Sequence, residues 1–258
     1  MQTKLYKIIV LIVISLLLNK IVVSCKEKNS ELKTIRGNQI KIGDELEPNP
    51  AILKEIQPYH DSLQSKINEV LSYNPQSLSR EESPLESSLG NFYADACYLA
   101  VDTVFFKEKN KHIDFALFNY GGIRTMIPKG NVKVEDIFTL MPFENKLVVV
   151  ELPGSTVQLL FDYLASRKQA HPISGLRISL KNGALVHIKI QGQNFDVTKK
   201  YWVLTHDYLQ HGGDNMSFFT QPLSLYTSSF KVRDALIGNL KQQDTLHASL
   251  DNRFVQID

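Results

Sequence analysis

Short apolar runs alternate with amphipathic stretches and glycine-containing turns over the second half of the sequence. The apolar runs have the length of strands, and two of them flank Lys181-Asn182-Gly183, a turn sequence typical of a hairpin. Two amphipathic stretches, 154–166 and 232–240, have the three- and four-residue spacing of helices. This order differs from a regular repeat of strand, helix and strand, so it predicts a mixed α/β fold, α+β in character, with a mixed sheet, hairpins and packed helices. The predicted strands are 113–118, 146–152, 176–180, 185–190, 201–205 and 253–257.

Two further helices are predicted ahead of these strands. Apolar residues recur at helical steps over 51–73, so a linker helix is expected there, with a kink or a break at Pro58. A loop rich in serine, proline and glutamate follows, and the next helix is expected over 87–106. The first of the amphipathic stretches named above is expected to be capped by Ser155 or Thr156.

The N-terminus has the features of an export signal. Two lysines precede an apolar run, 8–18, that is too short to span a bilayer, which takes about 20 apolar residues. A small residue, Ser24, precedes Cys25, which is the pattern of a bacterial lipoprotein cleavage site. We therefore predict a lipoprotein signal peptide over 1–24, lipidation of Cys25 by several acyl chains, and a polar tether over 25–50. The alternative is an ordinary signal peptide in which the cysteine is incidental.

Charge and cysteine content argue against a nucleic-acid-binding protein and against a disulfide-stabilised one. The sequence has 29 basic and 27 acidic residues, a formal charge of +2. Residues 1–24 contain three lysines and no acid, so the remainder has 26 basic and 27 acidic residues and a charge of −1. With no basic stripe or basic patch interleaved with aromatics, no nucleic-acid partner is expected. Cys97, the other cysteine, lies within a helical apolar pattern, so we expect a buried thiol and no disulfide framework.

Four loop segments contain the residue types that bind nucleosides. Aromatic rings can stack on a base, amides can read its edge, and a carboxylate can accept the ribose hydroxyl groups. A glycine pair in the first segment lets the backbone turn sharply and approach a ligand closely. Each segment alone is explained by a plain turn or by core packing, and only the combination indicates a site. The segments are Asn119 to Arg124, Pro142 to Asn145, Ser174 to Leu176 and Tyr208 to Asp214.

This combination resembles the C-terminal domain of the 5′-nucleotidase family, which includes UDP-sugar hydrolases and ecto-5′-nucleotidase. The resemblance covers most of the chain from residue 50 onward, and it implies a 5′-nucleotidase C-terminal-domain-like fold over 74–258. Its most specific parts are Asn-Tyr-Gly-Gly-Ile-Arg at 119–124, Pro-Phe-Glu-Asn at 142–145, Gly-Gly-Asp at 212–214, and the helix motifs at 86–91 and 94–96.

The resemblance also implies which residues bind the ligand. Phe143 and Tyr208 match the two aromatics between which the base stacks; the second is usually Phe, and Tyr keeps the ring face. Asp214 matches the acid that binds ribose hydroxyls. Another pocket arginine of the family aligns with Ser83, and Arg80 is the candidate to replace it from the same loop. The other positions implied are Asn119, Gly122, Arg124, Asn145 and Gly175.

The phosphatase half of this family holds two divalent metal ions, and its histidine-containing motifs are missing from this sequence. The runs Asp-x-His, Gly-Asn-His-Glu or Gly-Asn-His-Asp, and Gly-His-x-His do not occur. We therefore expect no catalytic residue, metal site or cofactor in this chain, and divalent metals only in a partner. His206, next to Asp207, is interpreted as a hydrogen-bonded histidine at a strand end.

These observations predict the substrate-specificity component of a split 5′-nucleotidase, lipid-anchored in a bacterial cell envelope. It would bind a nucleoside or nucleotide, pair with a separate metallophosphoesterase chain and be inactive alone. The predicted linker helix is a candidate docking surface. One alternative is a free-standing nucleoside- or nucleotide-binding lipoprotein without catalysis. Another is a degenerate domain kept for adhesion or envelope assembly, and an independent hydrolase has the least support.

Overall fold

The chain divides into two units, Met1–Ile52 and Leu53–Asp258. The first unit contains helix α1 (Gln2–Val22), whose described side chains, at 5–16, are exposed. Within the described part of the chain, no helix is both long and apolar enough to cross a membrane. Cys25 and its predicted lipidation lie outside the described residues. The computed structural model describes residues 2–22, 32–43 and 46–257.

From Pro50 onward the chain forms a mixed α/β fold, as predicted, in which strands outnumber helices. The helices are α2 (Pro50–Ile67), α3 (Ser88–Lys109), α4 (Val134–Leu140), α5 (Gly154–Arg167), α6 (Asp207–Gln210) and α7 (Val232–Leu240). The strands are β1 (Val70–Asn74), β2 (Phe115–Leu117), β3 (Gly130–Lys133), β4 (Lys146–Pro153), β5 (Ile173–Ser174), β6 (Leu176–Lys181), β7 (Ala184–Ile190), β8 (Gln193–Asn194), β9 (Lys200–His206), β10 (Ser224–Lys231) and β11 (Phe254–Ile257).

The linker helix predicted over 51–73 is shorter than expected. α2 ends at Ile67, and the following apolar residues form β1, which pairs antiparallel with β3. Leu71 of β1 is buried in the core, whereas no residue of α2 is buried. Pro58 lies inside α2 and does not end it. The apolar pattern over 51–73 therefore covers two elements, the exposed helix α2 and the strand β1, which contributes to the core.

The cap predicted for α5 is also wrong. Pro153, the last residue of β4, occupies the N-cap position, and no side chain caps the helix. The chain enters α5 directly from the strand, and Gly154 packs against a neighbouring backbone. A Cβ at residue 154 would lie 2.4 Å from the carbonyl oxygen of Val197, so only glycine fits there.

A five-stranded sheet in the order β10-β4-β9-β2-β5 forms the centre of the second unit. β2 and β9 run parallel, whereas β4 is antiparallel to β9, with Leu147 opposite His206. The carboxyl ends of β2 and β9 and the amino end of β4 therefore meet at one edge of the sheet. The loops that leave this edge contain three of the four segments singled out in the sequence.

The inner strands of this sheet, β4, β9 and β2, are covered on both faces and are mostly buried and apolar, whereas the edge strand β10 is mostly polar and exposed. On β9, Leu204 belongs to a core cluster built with α3, α4 and α7, and Val203 belongs to a second cluster built with α5. The second cluster continues into a four-stranded sheet, ordered β11-β6-β7-β8. The predicted hairpin joins β6 to β7, and Asn182 and Gly183 adopt positive φ angles of 53° and 79° in its turn.

The start of α3 is attached to the C-terminal strand by an ion-pair network. Arg253 donates to both carboxylate oxygens of Asp95 at 2.9 Å and also pairs with Asp251. Glu86 is buried and accepts hydrogen bonds from the Asn91 side chain and from the Asp251 backbone, each at 2.7 Å. The helix motif that supported the family resemblance therefore has a structural role in this chain.

Because the core lies on both faces of the central sheet, shortening a buried side chain of that sheet should lower the free energy of unfolding more than shortening an exposed one. Leu204→Ala removes a fully buried side chain from the middle of the sheet, and we expect the free energy of unfolding to fall by about 2–5 kcal/mol. Leu159→Ala, at a residue that is 59% exposed on α5, is the matched control and should change it by less than about 1 kcal/mol. Urea denaturation followed by circular dichroism measures both, and equal losses would contradict this description of the core.

Candidate functional site

A half-buried carboxylate, that of Asp214, is the centre of the sheet edge described above. Asn119 Nδ2 donates to Asp214 Oδ2 at 2.6 Å, and the Tyr208 hydroxyl donates to Asp214 Oδ1 at 3.0 Å. Asn119 follows β2, whereas Tyr208 and Asp214 follow β9, so the parallel pairing of these strands brings them together. The bond to Asp214 raises the pKa of Tyr208, because the phenolate would lose that donor and repel the carboxylate.

Asp214 is held in an uncommon backbone conformation. Its φ and ψ angles are 52° and 29°, in the left-handed region, which Asp and Asn tolerate better than most residues. The Tyr163 hydroxyl donates to the Asp214 carbonyl oxygen at 3.0 Å. Such conformations persist where the surroundings fix them, and they are common at ligand sites.

His206 lies beneath this cluster at the end of β9. Its Nε2 is 3.1 Å from Asn119 Oδ1, and its ring stacks on Phe118 with the centroids 5.8 Å apart. Burial lowers its pKa to about 4, so the ring is neutral near pH 7. Since Nε2 faces an amide oxygen, it carries the proton, and no described residue pairs with Nδ1. The sequence interpretation of His206 as a hydrogen-bonded strand-end histidine is confirmed.

A second buried histidine holds the glycine loop after β2. His171 Nδ1 accepts from the Tyr120 backbone at 3.1 Å, and burial lowers the pKa of His171 to about 4. Arg80 reaches the same loop from the 74–88 segment and donates to the carbonyl oxygens of Tyr120 and Ile123. Its guanidinium lies 4.3 Å from the centroid of the Tyr120 ring. Arg80 and Ser83 line a common cavity of about 370 Å³ beside this ring.

The loop that carries Phe143 is fixed to the start of α7. Glu144 pairs with Lys231 and Arg233, and these two donors lower the pKa of the Glu144 carboxyl group. The Asn145 backbone carbonyl accepts from the Val232 backbone at 3.0 Å. Phe143, next to Glu144, is 41% exposed.

Arg124 completes this side of the site. Its guanidinium carbon lies 6.0 Å from the centroid of the Phe143 ring, and its Nη1 donates to the Gly121 carbonyl oxygen at 3.4 Å. The side chain therefore joins the glycine loop to the aromatic loop and presents a cation at the mouth of the site.

Glycines allow the close approach of these groups. A Cβ at Gly213 would lie 2.4 Å from the ring carbons of Tyr208, so the Tyr208 ring lies directly against the backbone. At Gly122 a Cβ would lie 2.9 Å from Asn119 Oδ1. At Gly121 it would lie 3.6 Å from Asp214 Oδ2, so a longer side chain at residue 121 would extend over the carboxylate.

Among the residues predicted to bind the ligand, all of which the structure describes, Gly175 is the one that is not brought to this edge. A Cβ at Gly175 would lie 2.8 Å from the Asp114 carbonyl oxygen, next to the amino end of β2, whereas Asn119 follows the carboxyl end. Gly175 instead lines a cavity with Arg177, Gln191 and others. Its small-residue turn before a strand fitted the expected pattern, but the register of β5 on β2 decides which end of β2 it meets.

Three side chains at the site were not selected from the sequence as binding residues. They are His171, Tyr163 and His206, which act beneath or behind the exposed groups. His171 and Tyr163 come from segments with no distinctive motif, so no sequence signal identified them. Within the described residues, no group of three or more histidine, cysteine, aspartate or glutamate side chains could hold a metal ion.

The site thus combines two exposed aromatic rings, an oriented carboxylate and a cation at one sheet edge. Phe143 and Tyr208 are 41% and 47% exposed, so both rings can receive a flat apolar ligand. Asp214 can accept hydroxyl groups, and Arg124 can pair with an anionic substituent. This set suits a flat, hydroxylated ligand.

Comparison with known proteins defines the family of the chain. The 5′-nucleotidase C-terminal domain family matches residues 66–221, and the chain belongs to this family. An apyrase of Tabanus yao is 23% identical over 249 residues, which cover 88% of this chain and 45% of the apyrase. The UshA protein of Escherichia coli K12 is 32% identical over 144 residues, which cover 53% of this chain and 26% of UshA.

Solved structures share the fold. The 5′-nucleotidase precursor from Thermus thermophilus has a TM-score of 0.66 at 23% identity, over 82% of this chain and 44% of that one. The chain therefore spans less than half the length of the relatives named here.

The two buried histidines predict a loss of stability in mild acid. Their folded-state pKa values of about 4 lie below the ordinary value of about 6.5, so the unfolded chain binds more protons between these limits. Their stabilising contribution is complete above about pH 6.5 and is lost as the pH falls toward 4, by up to about 1.4 kcal/mol per pH unit for each histidine.

Urea denaturation at a series of pH values from 7.5 to 4.5 measures this slope. The double variant H171Q/H206Q lacks both titrating groups and should show a shallower dependence of unfolding free energy on pH. The same slope in the variant and the native chain would contradict the assignment.

Proposed function

We propose that this protein binds a nucleoside or nucleotide at the edge formed by β2, β4 and β9. The observation that carries the proposal is the Asp214 carboxylate, oriented by Asn119 and Tyr208 and flanked by exposed rings. The base would stack between Phe143 and Tyr208, and Asp214 would accept the ribose hydroxyl groups. Membership of the 5′-nucleotidase C-terminal domain family, whose match includes residues 119–214, supports this assignment.

We further propose that the chain is the substrate-specificity component of a split 5′-nucleotidase. A separate metallophosphoesterase chain would supply the divalent metals and attack the phosphate, and this chain would be inactive alone. Binding energy from the base and ribose would then position the phosphate in the partner. The observation that supports a partner is α2, whose apolar residues Ile52, Ile56 and Leu63 are exposed.

The proposed location is the bacterial cell envelope, with the chain held at the membrane by lipid on Cys25. The support is the sequence pattern of residues 1–25, in which a short apolar run ends at a small residue and a cysteine. A free-standing nucleoside- or nucleotide-binding lipoprotein is the second candidate.

Calorimetric titration of residues 26–258 with adenosine, AMP and UDP-glucose tests the binding site. We expect at least one ligand to bind, Phe143→Ala to weaken binding about 5- to 150-fold through lost stacking, and Asp214→Ala about 10- to 150-fold through lost charged hydrogen bonds.

Phe106→Ala is a matched control, since Phe106 is also 41% exposed but lies on α3, and Asp61→Asn is a control for charge on α2. Neither change should alter the affinity. Absence of binding by the native chain to all three ligands would overturn the proposed site.

Purification of the tagged full-length chain from the native envelope tests the partner. A chain with metallophosphoesterase motifs should co-purify, and the complex should release phosphate from AMP only when a divalent metal such as Mn²⁺ is present. The purified chain alone, with the same metal, should release none. Hydrolysis by the chain alone would reject the split arrangement, and nucleoside binding without any such partner would favour the free-standing binder.

A further inference from the structure

The hydroxyl group of Tyr208 donates a hydrogen bond to the Asp214 carboxylate, an interaction that a phenylalanine ring cannot make. We propose that Tyr208 and Asn119 set the Asp214 carboxylate as a two-point acceptor for a vicinal diol, so that the Tyr208 hydroxyl makes the site select ribose over 2′-deoxyribose. This inference rests on the proposed nucleoside binding and deepens it by assigning sugar selectivity to one hydroxyl group.

The argument starts from the acceptor capacity of the carboxylate. An ionised carboxylate has about four lone-pair positions, two on each oxygen. Tyr208 occupies one position on Oδ1, and Asn119 occupies one on Oδ2. One position therefore remains on each oxygen. Two adjacent acceptors match the spacing of two neighbouring hydroxyl groups, such as the 2′- and 3′-hydroxyls of ribose.

Both donors are themselves held in place, so the carboxylate cannot rotate freely. His206 Nε2 donates to Asn119 Oδ1, which fixes the orientation of the amide and directs its Nδ2 to Asp214. Tyr208 lies against Gly213, where a Cβ would be 2.4 Å from the ring, so the hydroxyl has a defined position. The two donors therefore act on opposite oxygens and hold the plane of the carboxylate.

The approach to the remaining positions is open. Asp214 is only half-buried, and Gly121 has no side chain to cover Oδ2. A diol can therefore reach both oxygens without displacing Tyr208 or Asn119. A 2′-deoxy sugar offers one hydroxyl and leaves one oriented acceptor without a ligand donor, which lowers its relative affinity.

Tyr208→Phe is the decisive change because it keeps the stacking ring and removes only the donor to Oδ1. Calorimetry compares adenosine, guanosine, cytidine and uridine with their 2′-deoxy counterparts, in the native chain and the variant. We expect the best ribonucleoside to bind roughly three- to tenfold more weakly to the variant. Its 2′-deoxy counterpart should lose less, so that the ratio of the two affinities falls toward one.

Tyr73→Phe is the matched control, since Tyr73 is 44% exposed on β1 and lies outside the site, and it should leave the ratio unchanged. Thermal denaturation of each variant checks that the fold is kept. Ribonucleoside binding with an unchanged or increased ratio in Tyr208→Phe would overturn this inference and leave the proposed function intact. No binding of any nucleoside to the native chain would overturn both.

Discussion

The parallel pairing of β2 with β9 is the constraint on which the site depends. The other pairs of the central sheet are antiparallel, so this one reversal brings the carboxyl ends of two strands to a common edge. Asn119 leaves one strand, and Tyr208 and Asp214 leave the other. The antiparallel β4 then begins at the same edge and adds the Phe143 loop. Side chains that are 95 positions apart in sequence thereby come within 2.6 Å of each other.

The edge is rigid because its exposed groups are anchored by buried ones. His206 holds Asn119, His171 holds the Tyr120 backbone, and the ion pairs of Glu144 hold the loop of Phe143. Keeping two histidines neutral and buried reduces stability in acid, and glycines at close contacts remove side chains that would contribute to packing. These features of the site lower the free energy of unfolding, and the apolar clusters on the two faces of the central strands offset the loss.

The exposed residues of the site were predictable because each has a chemical signature in the sequence. Paired glycines before an arginine, an aromatic after a proline, and an acid after two glycines are readable without a structure. The roles of His171 and Tyr163 could not be predicted from the sequence, because these residues support the site only through their contacts with distant segments. Gly175 was predicted to line the site because its local sequence pattern was suitable. The register of β5 on β2 instead places it at the amino end of β2, away from the site.

Local sequence patterns were sufficient to predict the mixed α/β class, the hairpin at Asn182-Gly183, the extent of α7, and the set of aromatic, amide and acidic residues around the site, whereas α3 continues to Lys109, beyond its predicted end at residue 106. These follow from local periodicity and turn chemistry, which act over a few residues. The tertiary structure was needed to show that residues 70–74 pair with β3 as a strand, and which donors orient Asp214. Both depend on contacts between distant segments, and the energies of such contacts are absent from any local pattern.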